Sequence, residues 1–199
     1  MEFADVVGRR RMVRAFAPDP VEPALIDSIL DRARRSPSAG NTQPIEFVVL
    51  EGPDQTARLW DVSYPPERRG SFRFPGLFDA PVLVVPLVRP DAYAERYSEP
   101  DKAATGLGGS VGAWPVPYWW VDGGMAVMTL LLAAGAAGLG CCLFGLFDHE
   151  EPVLHDLGVP PGWRALGVVA VGVPAGDEPG RSVGRSRRPL HEVVHRGGW

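Results

Sequence analysis

Apolar residues recur along the chain in two patterns that predict different elements of secondary structure. From Pro23 to Ala33 apolar side chains return every three or four positions, which predicts an amphipathic helix. Short apolar runs typical of buried strands cover 45–51, 82–88, 141–144 and 166–173. Pro86 interrupts the second run, which predicts an edge strand or a strand end there. Strands that alternate with helices predict an α+β (mixed α/β) domain around one sheet.

The longest uncharged stretch runs from Gly123 to Phe147 and covers 25 residues. An apolar run of this length is a candidate membrane span. Glycines interrupt it repeatedly, however, and the acidic flanks Asp122 and Asp148 have no Arg or Lys beside them to set an orientation. We therefore expect a buried helix over about 122–137 and no membrane span. A helix that is apolar on every side needs cover on every side, and a second subunit is a natural cover.

Length and composition are those of one folded domain over residues 1–199. Hydrophobic residues make up 45% and charged residues 22%, which excludes wholesale disorder. The net charge of −4 argues against a nucleic-acid partner. The first residues carry acids and arginines where a signal peptide would be apolar, so we expect a cytoplasmic protein. Two segments lack a regular pattern: 98–120, which is long enough to be an active-site loop, and the basic tail 174–199.

Several short motifs match known chemistry in their letters but not in their context. The segment His191-Glu-Val-Val-His195 has zinc-site spacing, but Pro189 and Gly197 leave barely one helical turn, and no third ligand follows. The adjacent Cys141 and Cys142 have the wrong spacing for a metal site or a redox pair. The chain has neither a nucleophile elbow nor a Gly-Lys-Ser/Thr phosphate loop. We therefore expect no metal and no catalytic residue that acts as a nucleophile.

Arginines cluster near both ends of the chain. The clusters are Arg9, Arg10, Arg11 and Arg14, and Arg185, Arg187 and Arg188. Guanidinium groups bind phosphate through charge-assisted hydrogen bonds, so clusters that converge would form an anion pocket; the alternative is a solvated basic rim. Between them, residues 36–44 offer hydroxyls, amides and backbone N–H groups. Such a segment suits a flat heterocycle, but it is also typical of an ordinary helix-to-strand loop.

Four segments in order resemble motifs of the FMN-dependent nitroreductase family. They are Arg10-Arg-Met-Val-Arg-Ala-Phe16, Ser36-Pro-Ser-Ala-Gly-Asn-Thr-Gln-Pro-Ile-Glu-Phe-Val-Val49, Ala134-Gly-Ala-Ala-Gly-Leu-Gly140 and Arg185-Ser-Arg-Arg-Pro-Leu190. Their order and spacing fit nearly the whole chain except about 60–120. The resemblance implies a nitroreductase-like fold, with a central, mostly antiparallel sheet flanked by helices. It also implies an intertwined homodimer with flavin sites at its interface and the helix from Asp122 in its core.

The resemblance further implies which residues would bind FMN. Arg10 and Arg14 would bind the phosphate and the ribityl or pyrimidine end, and Arg185 and Arg187 would complete the phosphate clamp. The partner subunit would contribute Pro37, Ser38, Ala39, Asn41 and Gln43. One flavin face would lie against Leu143, Phe144 and Gly145. Met12 stands where relatives usually carry Ser, so one phosphate hydrogen bond is lost, and whether Arg11 replaces it is open.

An NAD(P)H-dependent oxidoreductase is the activity that this resemblance implies. Hydride would pass from NAD(P)H through flavin N5 to a nitroarene, quinone or enone in ping-pong order, and Arg14 would stabilise negative charge at the pyrimidine edge. Aromatic residues would roof the site and contact the acceptor, or else pack on the partner: Trp114, Tyr118, Trp119 and Trp120. Two alternatives stay open. One is a flavin or deazaflavin binding or storage protein with weak turnover, and the other is a relative that consumes the flavin or oxidises a natural product.

Overall fold

The computed structural model describes residues 2–176, 180 and 184–199. Residues 177–179 and 181–183 of the expected tail lie outside this part of the chain. The centre of the domain is a five-stranded sheet with the order β1-β2-β5-β3, in which β4 also pairs with β2. The strands are β1 (Ile45–Glu51), β2 (Val82–Val88), β3 (Gly140–Phe144), β4 (Arg164–Ala165) and β5 (Val168–Gly172). These strands all pair in antiparallel fashion, as expected.

Helices cover the sheet on both faces. They are α1 (Phe3–Arg9), α2 (Pro23–Ala33), α3 (Gly52–Ser63), α4 (Pro66–Arg69), α5 (Asp91–Tyr97), α6 (Tyr118–Ala136) and α7 (Glu150–Asp156). Val82 and Val84 of β2 pack with α2 and α6, whereas Leu83 and Val85 pack on the other side with α3 and α7. Because side chains alternate across a strand and both faces are covered, the strands read as continuous apolar runs. The expected α+β architecture is confirmed.

The edge position predicted from Pro86 is wrong, because β2 lies inside the sheet. It pairs with β1 along its whole length, and on its other side it pairs first with β5 and then with β4. The Pro86 carbonyl accepts the Leu166 N–H at 2.9 Å, so the missing proline N–H faces the break between β4 and β5. Gly167, with φ 120°, occupies that break. The proline is tolerated because its missing N–H falls at this break, where the ladder needs no donor from it.

Helix α6 begins at Tyr118, four residues earlier than expected, so Tyr118, Trp119 and Trp120 are helical and not part of a loop. Its 19 residues are long and apolar enough to cross a membrane by length and composition alone. One face is buried against α2 and the sheet. The opposite face is exposed along Val121, Gly124, Met125 and Met128. We call these four residues the apolar face of α6.

The adjacent cysteines are buried side chains on opposite faces of β3. Cys141 packs with the cluster under α2 and α6, and Cys142 packs with the cluster under α3 and α7. Burial raises the pKa of the Cys141 thiol to about 12, so it stays protonated and unreactive at neutral pH. Within the described part of the chain neither thiol forms a disulfide bond, and both serve as small core residues.

Candidate cofactor site

The N-terminal arginines lie along the β3 edge of the sheet. The Val13 N–H donates to the Cys141 carbonyl at 2.9 Å, and Met12 forms a parallel bridge with Cys141. Residues 10–13 therefore lie beyond β3 at the start of that strand, beside residues 138–141. The structure thus brings together the first and third of the resembling motifs, which are more than a hundred residues apart in the chain.

A small cavity lies beside these arginines. Its volume is about 160 Å³, and its lining includes Arg9, Arg10, Arg11, Pro174 and the glycine turn 138–140. This volume is below the roughly 300–1,000 Å³ of sites that enclose a whole small molecule. The volume suits an anion of phosphate size beside three arginines, but it is too small to enclose a three-ring flavin.

Met12 and Arg14 occupy different environments on the same segment. Met12 is half-buried and packs against both core clusters, so its side chain does not replace the hydroxyl that relatives carry. The Arg14 guanidinium donates to the Met12 carbonyl at 3.2 Å and lies over the Phe74 ring at 5.0 Å. A side-chain carbon on Gly180 would lie 3.3 Å from Arg14 Nη1, so the start of the tail passes this guanidinium.

The tail arginines differ from the N-terminal arginines in their exposure and their contacts. Arg185 and Arg187 are exposed, and the ion pairs among the described residues do not include them. Arg188 instead pairs with Glu192 within the tail. The two-ended phosphate clamp therefore stays a prediction.

The end of β3 presents backbone to the surface. Leu143 packs under α2 and α6, while Phe144 stacks on Trp60 at 5.2 Å with an interplanar angle of 12°. Gly145 is exposed, and a side-chain carbon there would lie 3.0 Å from Cζ of Phe147. Phe147 itself has φ 49° and is 87% exposed. The side chains of residues 143 and 144 are thus fixed in the core, so their backbone is what remains for a ligand.

Residues 36–44, which we call the cofactor loop, adopt an unusual backbone. Gly40, Asn41 and Gln43 have φ of 63°, 54° and 51°, in the left-handed region. The Gln43 N–H donates to Ser38 Oγ at 2.9 Å, which closes the loop on itself. The loop is therefore a compact, hydrogen-bonded turn, and Asn41 and Gln43 are exposed on it.

Residues outside the loop hold it in place, and the sequence did not single them out for this role. The Ala39 N–H donates to Asp122 Oδ2 at 2.8 Å, and the Tyr93 hydroxyl donates to the same oxygen at 2.7 Å. Arg96 Nε donates to the Gly40 carbonyl at 2.8 Å. Tyr93 and Arg96 fall in the stretch where the resemblance is weak. Asp122 could have been noticed as the acid at the start of the uncharged run.

The cofactor loop and the N-terminal arginines lie on opposite edges of the sheet. The loop leads into β1 at one edge, and residues 10–14 lie beyond β3 at the other. Four strand spacings of about 4.8 Å separate them by roughly 19 Å. One chain therefore does not close the loop and its own arginines around the same ring.

The four aromatic residues suggested for acceptor binding divide into two groups. Trp114 and Trp119 are buried against Tyr93, and Trp114 Nε1 donates to the Leu107 carbonyl at 3.1 Å. Tyr118 is exposed, and Trp120 lies under the Arg164 guanidinium at 5.6 Å. Because buried rings cannot contact an acceptor, the prediction is retained for Tyr118 and Trp120 only.

Comparison with known proteins identifies the family of this chain. Residues 7–173 match the Nitroreductase family, and the chain belongs to that family. It is 30% identical over 204 residues to a 5,6-dimethylbenzimidazole synthase of Rhodospirillum rubrum, covering 94% of this chain and 90% of the relative. It is 29% identical over 201 residues to an NADH dehydrogenase of Thermus thermophilus, covering 94% and 91%.

A solved structure from Desulfovibrio desulfuricans, in complex with FMN, shares the fold. It aligns with a TM-score of 0.72 and 22% identity over 100% of this chain and 98% of the other. The nitroreductase-like fold expected from the four motifs is thereby confirmed. Membership of the Nitroreductase family makes the chain an oxidoreductase of that type.

Proposed function

We propose that this chain is an FMN-dependent oxidoreductase that passes hydride from NAD(P)H through flavin N5 to a nitroarene, quinone or enone. The observation that carries the proposal is the pairing of residues 12–13 with Cys141, which places Arg10 and Arg11 at a cavity beside the start of β3, in a chain of the Nitroreductase family. The relatives support it, since one is named an NADH dehydrogenase and a protein of the same fold was solved with FMN.

The donor groups at this edge suit the parts of FMN. Arg10 and Arg11 beside the small cavity offer bidentate bonds to a phosphate, and Arg14 offers positive charge farther along the edge. At the far end of β3, the exposed Gly145 offers backbone groups to a ligand. The exposed amides of Asn41 and Gln43 offer donors and acceptors for a heterocycle.

The protein's own part in catalysis would be binding, orientation and charge. The chemistry that bound FMN supplies is hydride transfer at N5, taken from NAD(P)H and given to the acceptor in ping-pong order. Arg14 would favour negative charge at the pyrimidine edge, which is preorganised electrostatic stabilisation. Tyr118 and Trp120 would contact the acceptor. No side chain acts as nucleophile or general base in this scheme.

A cytoplasmic homodimer completes the proposal. The apolar face of α6 leaves Val121, Met125 and Met128 exposed in one row, as a helix does when a second subunit covers it. The roughly 19 Å between the cofactor loop and the arginines is bridged if each loop serves the partner's flavin. Met128→Asp should shift the protein from dimer to monomer in sedimentation analysis.

The visible spectrum of the purified protein tests the central claim. A yellow protein that bleaches anaerobically with NADPH or NADH and regains colour with a quinone supports the oxidoreductase. A protein that binds FMN but does not bleach is instead a flavin-binding or storage protein. A colourless protein that cannot be reconstituted with FMN contradicts the proposal.

A flavin-consuming activity is the second candidate, and the 30% identity to a 5,6-dimethylbenzimidazole synthase favours it. The measurement is product analysis after reduction of FMN by NADPH under air. A benzimidazole product with stoichiometric loss of FMN selects this candidate. Recovery of intact FMN after many turnovers rules it out.

A further inference from the structure

The Asp122 side chain is a buried carboxylate with no positive partner among the described residues. It is 3% exposed, and the ion pairs in that part of the chain all join other side chains. Burying a carboxylate without a cation is costly unless hydrogen bonds compensate. Its Oδ2 accepts two of them, from the Ala39 N–H at 2.8 Å and from the Tyr93 hydroxyl at 2.7 Å. One buried carboxyl oxygen thus accepts from one backbone amide and one phenol.

The amide belongs to the part of the cofactor loop that most needs support. Ala39 begins the turn Ala39–Asn41, in which Gly40 and Asn41 are left-handed, and Gln43 follows with φ 51°. Non-glycine residues in this region cost energy and persist only where their surroundings hold them. Two side chains from outside hydrogen-bond to this turn, Asp122 at Ala39 and Arg96 at Gly40; the Asp122 side chain is buried, whereas that of Arg96 is 22% exposed.

Tyr93 holds the same carboxylate from the other side. Burial, and then the hydrogen bond to Asp122, raises the pKa of the Tyr93 phenol, so its hydroxyl stays a donor at physiological pH. The Tyr93 ring is fully buried and meets Trp114 edge-on at 5.4 Å. The oxygen that receives the loop amide is therefore fixed in position by the core.

We propose that Asp122 is a positioning residue for cofactor binding, because its carboxylate anchors Ala39 and so sets where Ser38, Asn41 and Gln43 stand. The anchoring of the loop depends only on the described contacts. Its consequence for FMN rests on the proposed function.

The test compares Asp122→Ala with Asp122→Asn in the full-length protein. Amide hydrogen exchange of residues 38–43 reports loop position without any flavin, and fluorescence titration of the apoprotein with FMN reports Kd. Removing a charge-assisted acceptor from two buried donors should speed exchange and raise Kd, each by at least about tenfold. Asp122→Asn should restore both to within about threefold, since its amide oxygen accepts the same donors.

A second variant acts from the loop side and covers the case in which Asp122→Ala does not fold. Ala39→Pro removes the N–H that Asp122 accepts, and Ser38 with ψ 148° suits a following proline. It should raise the FMN Kd as Asp122→Ala does. Ser63→Ala is the control: its buried hydroxyl donates to the Leu59 carbonyl at 2.8 Å on α3, which covers the opposite face of the sheet.

Two results would overturn the proposal. One is unchanged exchange of Ala39 in Asp122→Ala, and the other is a loss of stability like that of Ser63→Ala with wild-type FMN affinity. A wild-type protein that binds no FMN defeats the proposed function instead, and the exchange measurement then decides the anchoring alone.

Discussion

The cofactor loop and the tail 184–199 are both expected to contact FMN, yet the chain holds them in opposite ways. The loop is attached to its own subunit through Ala39 and Gly40, by Asp122 and Arg96. The tail is exposed throughout, and its described contacts are internal, such as the His195–Trp199 stack at 4.2 Å. The loop is thus held by other elements of its subunit, whereas among the described residues the contacts of 184–199 stay within the tail.

This difference determines when each region loses its conformational entropy. Ordering the cofactor loop costs free energy during folding, so the loop binds a ligand without paying that cost again. Ordering the tail costs free energy only when it docks on a ligand or a partner. Substitutions in the loop should therefore change both stability and affinity, and substitutions in the tail should change affinity alone.

The largest effect should come from the tail arginines. Arg185→Ala with Arg187→Ala should raise the FMN Kd by about 100-fold or more, since each charge-assisted hydrogen bond contributes roughly 1.5–3 kcal/mol. The dimer and the free energy of unfolding of the apoprotein should not change. Arg196→Ala, elsewhere in the tail, is the charge-matched control for a fluorescence titration. Full flavin occupancy in the double variant would show that the tail does not bind phosphate.

A glycine-to-alanine substitution should have different effects on stability in the loop and in the tail. In the loop, Gly40 has φ 63°, and an added side-chain carbon would lie 2.7 Å from Tyr97 Cε2. Gly40→Ala should therefore lower the free energy of unfolding by about 1–3 kcal/mol and weaken FMN binding. In the tail, Gly184 has no atom within 4 Å of such a carbon. Gly184→Ala should change stability by less than about 0.5 kcal/mol in urea titrations, and equal losses would remove the distinction.

A matched pair of arginines should show a smaller difference. Arg96 binds the Gly40 carbonyl and pairs with both Asp101 oxygens at 2.7 and 2.8 Å. Arg96→Ala should lower the melting temperature of the apoprotein by a small but measurable amount, because it removes the bond to the cofactor loop together with the Asp101 pair. Arg188 pairs with Glu192 on the exposed tail, so Arg188→Ala should cost close to nothing. Thermal unfolding of the two variants side by side measures this, and a larger loss at Arg188 would mean that the tail is docked before FMN binds.

The smallest effect should be a difference in how steeply the free energy of unfolding falls with pH above pH 10. The folded pKa of Tyr93 lies above its ordinary value of 10.0, so its contribution to stability is complete below pH 10 and is lost as pH rises further. The physical reason is that only the unfolded chain releases this proton in that range. Stability of the wild type should thus fall more steeply above pH 10 than that of Tyr93→Phe. Parallel curves from urea unfolding at several pH values would place Tyr93 outside the buried network.

The elements that were predicted well are those whose signal is local. The bounds of β1 and β2 are those of the apolar runs, and α2 begins at Pro23, because periodicity and first-turn proline act within a few residues. The predictions failed where the position of a residue depends on a neighbour that is distant in the sequence. Pro86 lies inside the sheet because β4 and β5 leave a gap beside it. Trp114 looked like a lid residue and is instead buried on Tyr93.

The sequence by itself determined most of the strands and helices, the basic motif near the N-terminus and the family likeness, since these depend on spacing along the chain. Only the tertiary structure decided which carboxylate holds the cofactor loop, because Asp122 and Ala39 are 83 positions apart and no periodicity links them. It also decided that the loop and the arginines stand on opposite edges of one sheet. Strand order follows from how both faces of the sheet are covered, and that is a property of the packed chain as a whole.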